Sequence, residues 1–411
     1  MQLAFLGGSF AVGVFNAFNV YTISLWLTAF TTSYVLISLI ANSRTFLGAV
    51  VSPIAGAWSD RVYLGWLGRR RPFILIGGVL GALLLGLTPA IARLDVAIGG
   101  LPPEMARLLP IVVAIGLFTI AFNMQDDVQK ALLADLTEGP ARERLSSFSV
   151  VTDMGGQVFI LALGFLLSRE GIEEGFFLVA AGLIAGGVLV TVLGVREPSP
   201  EQWDRAALVH GPRLPLRRLA ADYRSAAIFC AAVFCYWAGV NAVLPLVSIY
   251  TRDILGATPG EAQLLPALLL LSTTVFAVPV GLLGTRFGKR RILAAGYCIL
   301  ALAALFALVI TTREQGALVF IFAGIGNAAS MVLTIPLLAD LVPRHHMGAA
   351  SGILAACTSI SAPLSSVIAG TLADLLGPRA IFLVMTAMTL IALALLPAVR
   401  PQPGPALALG D

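Results

Sequence analysis

Charge is scarce in this chain. Only 12% of its 411 residues are Asp, Glu, Lys or Arg, against about 25% in soluble domains. With 58% hydrophobic residues and a mean hydropathy of +0.93, a soluble core could not hide the apolar surface, so the bilayer must be the solvent. Histidine is confined to His210, His345 and His346, and cysteine to Cys230, Cys235, Cys298 and Cys357. None has metal-ligand or redox-pair spacing. A metal centre and a disulfide framework are therefore excluded, and no cofactor is expected. The cysteines read as small membrane-packing residues and the histidines as interfacial ones. No glycine loop able to cradle phosphate is present, nor any nucleophile–base arrangement. These absences exclude an enzyme and an ATP-driven pump. The net charge of +4 does not imply nucleic acid, because the basic residues sit in short loops between apolar runs. No basic segment precedes the first apolar run, which is also too long for a signal sequence and reads as the first membrane helix.

The apolar runs dominate what is present. A helix needs roughly 20 apolar residues to cross the hydrocarbon core. Twelve runs meet that length: 3–27, 33–57, 73–92, 109–134, 145–167, 175–195, 225–249, 263–284, 291–311, 317–339, 348–373 and 379–397. We expect an all-α membrane protein with an N-terminal six-helix half at 1–195, a proline-rich and charged linker at 196–223, and a C-terminal half at 224–411. The even-numbered loops and the C-terminal tail carry three times the Lys and Arg of the odd-numbered loops. Both termini are therefore expected in the cytoplasm, with the protein in the plasma (inner) membrane.

Two motifs repeat in register. Gly68-Arg69-Arg70-Arg71 after run 2 returns as Gly288-Lys289-Arg290-Arg291 after run 8. Ala131-Leu132-Leu133-Ala134-Asp135-Leu136 returns as Pro336-Leu337-Leu338-Ala339-Asp340-Leu341. Both pairs place helix n over helix n+6, so the halves are pseudo-symmetric. These residues, with Gly56-x-x-x-Asp60-Arg61 and Pro72-Phe73-Ile74, resemble the major facilitator superfamily. Within it they look most like the glycoside–pentoside–hexuronide and sucrose-transporter groups. The resemblance implies a secondary transporter, commonly a functional monomer, that moves a glycoside or oligosaccharide with a cation. The chain departs from those groups at two places. Ser52 precedes Pro53-Ile54-Ala55-Gly56 where melibiose-type members carry a carboxylate, and Thr119 stands where sucrose-type members carry an aspartate. Any coupling group must sit elsewhere, and the expected coupling ion is a proton, with sodium as the alternative.

Polar side chains inside the runs need a reason, since charge at bilayer depth costs at least about 2.5 kcal/mol. Arg44 lies near the middle of run 2 with no carboxylate on its own helix. It meets either a ligand or a structural partner on another helix. Asn123, Asp126, Asp127 and Lys130 share one face of run 4 by their spacing. Lys130 can pair with either aspartate, which leaves the other for Arg44 or a proton. Asp153 and Gln157 lie one turn apart on run 5, and Asn16 and Asn19 one turn apart on run 1. Amides suit sugar hydroxyls because they donate and accept; they also glue helices together. The second half offers Asn241, Asn327 and Trp237. The candidate substrate-binding residues are thus Asn16, Asn19, Arg44, Asn123, Gln157, Trp237, Asn241 and Asn327. The candidate coupling residues are Asp126, Asp127, Lys130 and Asp153.

The loop charges suggest a latch that holds the cytoplasmic side. Asp60, Arg61, Arg69, Arg70 and Arg71 can pair with Asp135, and in the second copy Arg286, Lys289 and Arg290 with Asp340. Rival readings remain open: a drug or metabolite exporter on the same fold, or a non-transporting assembly factor for pigment complexes.

Overall fold

The computed structural model describes residues 2–59, 61–94, 103–137, 139–168, 171–197, 223–343 and 346–400. Asp60 and nearly all of the expected linker lie outside these residues, as do His210 and His345. Within them are twelve helices long and apolar enough to cross a membrane. They are α1 (Gln2–Leu27), α2 (Tyr34–Ser59), α3 (Arg71–Ala92), α4 (Met105–Leu136), α5 (Arg144–Leu167) and α6 (Glu174–Gly194), then α7 (Arg224–Val243), α8 (Glu261–Phe287), α9 (Lys289–Ala307), α10 (Arg313–Ala339), α11 (Met347–Leu376) and α12 (Ala380–Ala398). Helix is the form that satisfies each backbone N–H and C=O within its own segment, which hydrocarbon demands.

Three helices depart from the simple pattern. Phe18–Thr22 of α1 is a π-helical turn. Helix α2 is interrupted at Asn42, between Tyr34–Ala41 and Ser43–Ser59. The expected run at 225–249 is divided: α7 stops at Val243, Pro245 lies in the break, and a short helix Val247–Leu255 follows. Proline lacks the N–H that would continue the ladder.

The packing repeats with the sequence. Helix α1 packs on α5 and α6, α3 on α4 and α6, and α2 on α4. Six helices later, α7 packs on α11 and α12, α9 on α10 and α12, and α8 on α10. Two principal contacts join the sets, α2 with α11 and α5 with α8, and the same n+6 shift exchanges them. Both repeated glycines turn the chain into the next helix with positive φ, +78° at Gly68 and +95° at Gly288, a region that favours glycine.

The helix pairs define two faces of the bundle. The terminal face holds the start of α1 and the arginine loop; the far face holds the α1–α2 connection. Hydrogen bonds join the two sets at the far face: Thr22 to Gln263 at 2.9 Å, Arg252 to Thr28 at 2.8 Å, and the Tyr34 backbone N–H to Asp374 at 2.6 Å. Deeper in, Asn42 donates to the Asn241 carbonyl at 3.1 Å and to Ser366 at 2.8 Å. The Thr274 hydroxyl reaches Met154 Sδ at 3.2 Å, at mid-height. These links close the far face.

Candidate functional site

Between the two sets lies a cavity of about 440 Å³, within the range of about 300–1,000 Å³ for small-molecule sites. Six helices supply its polar wall: Asn16 from α1, Asn42, Arg44 and Thr45 from α2, Asp153 and Gln157 from α5, Asn241 from α7, Thr273 from α8 and Asn327 from α10. Trp237 of α7 and Tyr21 of α1 also line it, and aliphatic and methionine side chains complete the wall.

Arg44 organises the first-half wall. Its guanidinium donates to Asn16 Oδ1 and to Asp126 Oδ2, and it lies 6.0 Å from the centre of the Phe15 ring. Asp126 is buried, and its same oxygen also accepts from Lys130 at 2.8 Å. One carboxylate therefore bridges two cations, which leaves one positive charge over in the cluster. The sequence left the Lys130 partner undecided; the rotation of α4 gives it to Asp126. Asp127 instead accepts from the Ser52 hydroxyl on α2. Asn123 donates to the Arg44 carbonyl at 3.0 Å, so it braces α2 and lies outside the cavity lining.

Asp153 has a different neighbourhood. It accepts from Gln157 Nε2 at 3.2 Å, one turn along α5. The α1–α5 contact that holds it is very close: a Cβ on Gly13 would strike the Asp153 carbonyl, and one on Gly156 the Phe10 carbonyl. Glycine at both positions lets the two backbones meet.

The second-half amides are held in place. Asn327 accepts from the buried Tyr236 hydroxyl and donates to Thr273 at 3.2 Å. Tyr236 stacks on Tyr297 with ring centres 4.7 Å apart. Asn241 donates to Ser361 at 3.2 Å. Asn19 departs from expectation. It is 1% exposed and donates to the Ala41 carbonyl at 3.0 Å, at the interruption in α2. It is a helix–helix bond and lies outside the cavity lining.

The loop charges form two separate clusters, one within each set. Arg69 and Arg70 bind Asp135 at 2.7 and 3.0 Å, and Arg70 also donates to Ser59. In the second copy Lys289 binds Asp340 at 2.7 Å, while Arg290 donates to the Val399 carbonyl at 2.6 Å. Arg286 lies over the Phe287 ring, and Arg61 is exposed. Sequence reading missed Glu197. Its carboxylate, 4% exposed, accepts from the backbone N–H groups of Arg69, Arg70 and Arg71 and lies 3.9 Å from the Arg71 Nε. These are donors at the α3 N-terminus that no intrahelical carbonyl can reach, so a carboxylate belongs there. The available signal was an acidic residue just after the sixth apolar run.

The Major Facilitator Superfamily family model matches residues 4–246 and 228–410. Over 139 residues the chain is 29% identical to an uncharacterised MFS-type transporter of Methanocaldococcus jannaschii, covering 34% of this chain and 36% of that protein. Over 195 residues it is 28% identical to the human proton-associated sugar transporter A, covering 44% of this chain and 25% of that protein. The chain thus spans about a third or less of the length of these curated relatives. Among solved structures, a D-xylose-proton symporter superposes with a TM-score of 0.76 at 17% identity, over 96% of both chains. The nucleoside transporter NupG superposes with a TM-score of 0.72 at 13% identity, over 97% of this chain and 99% of that one. At such identities the likeness is one of fold. The family match covers both sets of six helices, and the chain belongs to the Major Facilitator Superfamily, as an integral membrane protein and not an enzyme.

Proposed function

We propose that the protein moves a sugar-like polar solute, a glycoside or oligosaccharide, by alternating access coupled to protons. The observation that carries this reading is a carboxylate, Asp153, in the wall of the same cavity that presents Asn16, Gln157, Asn241 and Trp237. Amides that both donate and accept match hydroxyl groups, and an aromatic ring offers a flat face to a pyranose. The human relative named for proton-associated sugar transport and the xylose–proton symporter fold agree with it. With both termini in the cytoplasm of a plasma-membrane protein, as the loop charges favour, the closed far face is the outside and the arrangement is inward-facing.

The coupling follows from which helices carry the charges. Asp126 is already paired with Arg44 and Lys130. A proton on Asp153 leaves Arg44 to Asp126; loss of that proton draws Arg44 toward Asp153. Arg44 sits on α2, which packs on α11, and Asp153 on α5, which packs on α8. Those two contacts join the halves, so the proton acts where the halves move. A ligand shifts such an equilibrium only by its differential affinity for the two states.

Uptake into proteoliposomes of labelled xylose, sucrose, melibiose and uridine, under proton or sodium gradients, tests the reading. Proton-driven accumulation of a sugar that Asp153→Asn abolishes, with exchange retained, supports it. A sodium-driven response lost in Asp127→Asn would transfer coupling to the α2–α4 boundary, where Ser52 meets Asp127. Uridine flux without sugar flux would move the cargo to nucleosides. No flux of any probe sinks the sugar reading and turns the search to exported compounds and to pigment-complex assembly.

A further inference from the structure

A second cavity, of about 330 Å³, lies wholly within the first six helices, between α1, α4 and α5. Phe5 and Ser9 of α1, Lys130 and Leu133 of α4, and Ser146 of α5 line it, and all lie toward the helix ends at the terminal face. Asp153 and Val150 line this pocket and the central cavity alike. Asp153 is therefore reachable from two sides.

The pocket wall carries a polar chain that no cargo contact explains. Gln125 donates to Gln129 at 2.6 Å, Gln129 donates to Ser9 at 3.3 Å, and the Ser9 and Ser149 hydroxyls are 2.7 Å apart. Ser149 precedes Asp153 by one turn of α5. Gln129 and Ser9 are buried and line the pocket, while Gln125, also buried, stands behind Gln129 and outside the lining. The hydroxyls of Ser9, Ser146 and Ser149 and the Gln129 amide around a pocket of this size are what ordered water needs. The charged groups facing Asp153 are Arg44 from α2 and Asp126 and Lys130 from α4. Helix α1 carries no charged residue, and the charged residues of α8 are at its ends.

We infer that the pocket between α1, α4 and α5 is a hydrated vestibule through which the proton travels between the terminal face and Asp153, apart from the cargo's path. The inference rests on the proton-coupling reading above. A hydronium ion in the pocket gives its proton to an Asp153 carboxylate oxygen, leaving water and the neutral acid; release returns the proton to a pocket water. The Ser9–Ser149 pair passes the proton by accepting at one hydroxyl and donating from the other. Cargo in the central cavity does not block this exchange.

Two measurements test it. In a background lacking the four native cysteines but retaining sugar exchange, Ser149→Cys and Val240→Cys are labelled with a membrane-impermeant thiol reagent from the terminal face. Each is measured with and without saturating xylose, sucrose or melibiose. The expected result is protection of Val240→Cys, which lines the central cavity, and unchanged labelling of Ser149→Cys. Equal protection of both positions overturns the inference. In proteoliposomes, Ser9→Ala combined with Ser149→Ala should lower proton-driven accumulation severalfold and leave exchange at its original rate. An unchanged ratio of the two activities overturns the relay. If the unaltered protein exchanges sugar but never accumulates it on a proton gradient, the coupling reading falls and this inference with it. If it accumulates sugar while both cysteines are protected, only the inference falls.

Discussion

Arg44 of α2 and Asp126 of α4 form an ion pair that crosses the wall of the central cavity. Asp126 is the more buried partner, and its second cation, Lys130, has a side chain that is 68% exposed. The two cations should therefore differ sharply in weight. Removing one partner of a buried pair costs about 3–5 kcal/mol, whereas an exposed pair contributes about 0–1 kcal/mol. Arg44→Met and Asp126→Asn should each lower the unfolding temperature in detergent by a large margin, and Lys130→Met by little. The Arg44→Met, Asp126→Asn double variant should lose less than the sum of the single changes, because the two residues share one interaction. Additive losses would show that the pair is not the unit.

Asp153 should separate coupling from movement. Asp153→Asn keeps a side chain that accepts from Gln157 but cannot carry a proton. Exchange of sugar across the membrane should survive within a fewfold, while accumulation on a proton gradient should vanish. Gln157→Leu removes the partner of Asp153 and a cavity amide together, so it should weaken apparent substrate affinity as well. A chain that still accumulates sugar with Asp153→Asn would exclude this carboxylate as the coupling site.

The sequence made the spans legible because bilayer thickness sets their length. The n+6 repeat was legible because glycine and basic residues recur in register. What it could not supply was the rotation of each helix, which packing decides. Asn16 and Asn19 show the reason: regular helical spacing puts them on one face. The π-turn at Phe18–Thr22 begins between them and changes the register. Asn16 then lines the cavity, while Asn19 turns to the Ala41 carbonyl. Glu197 escaped notice because its partners are backbone N–H groups of a distant helix, which leave no mark in side-chain patterns.

Glu197 should matter more to stability than the more visible ion pair of the second copy. It caps three N–H groups at the start of α3, and leaving a buried donor unsatisfied costs about 1–3 kcal/mol. Lys289 and Asp340, with side chains 30% and 43% exposed, belong to the class contributing about 0–1 kcal/mol. Glu197→Ala should lower the unfolding temperature clearly. Glu197→Gln, which keeps one accepting oxygen, should lower it less, and Lys289→Met hardly at all. The reverse order would remove Glu197 from its place as the cap.

The far face should respond to a single methyl group. Gly370 of α11 lies against Val35 of α2 so closely that a Cβ would overlap the Val35 backbone, and backbone cannot swing aside as a side chain can. Gly370→Ala must therefore part α2 from α11 where Asp374 holds Tyr34 and Ser33. Asp374→Ala removes those bonds without adding bulk. Both changes destabilise the closed far face, and each 1.4 kcal/mol shifts the balance of the two states about tenfold. Because α2–α11 and α5–α8 are exchanged by the internal repeat, parting one contact at the far face should let the terminal ends approach. Spin labels on α2 and α11 should then report longer distances at the far face and shorter ones at the terminal face, with Gly370→Ala showing the larger change. Unaltered distances in both variants would mean that this contact does not hold the closed state.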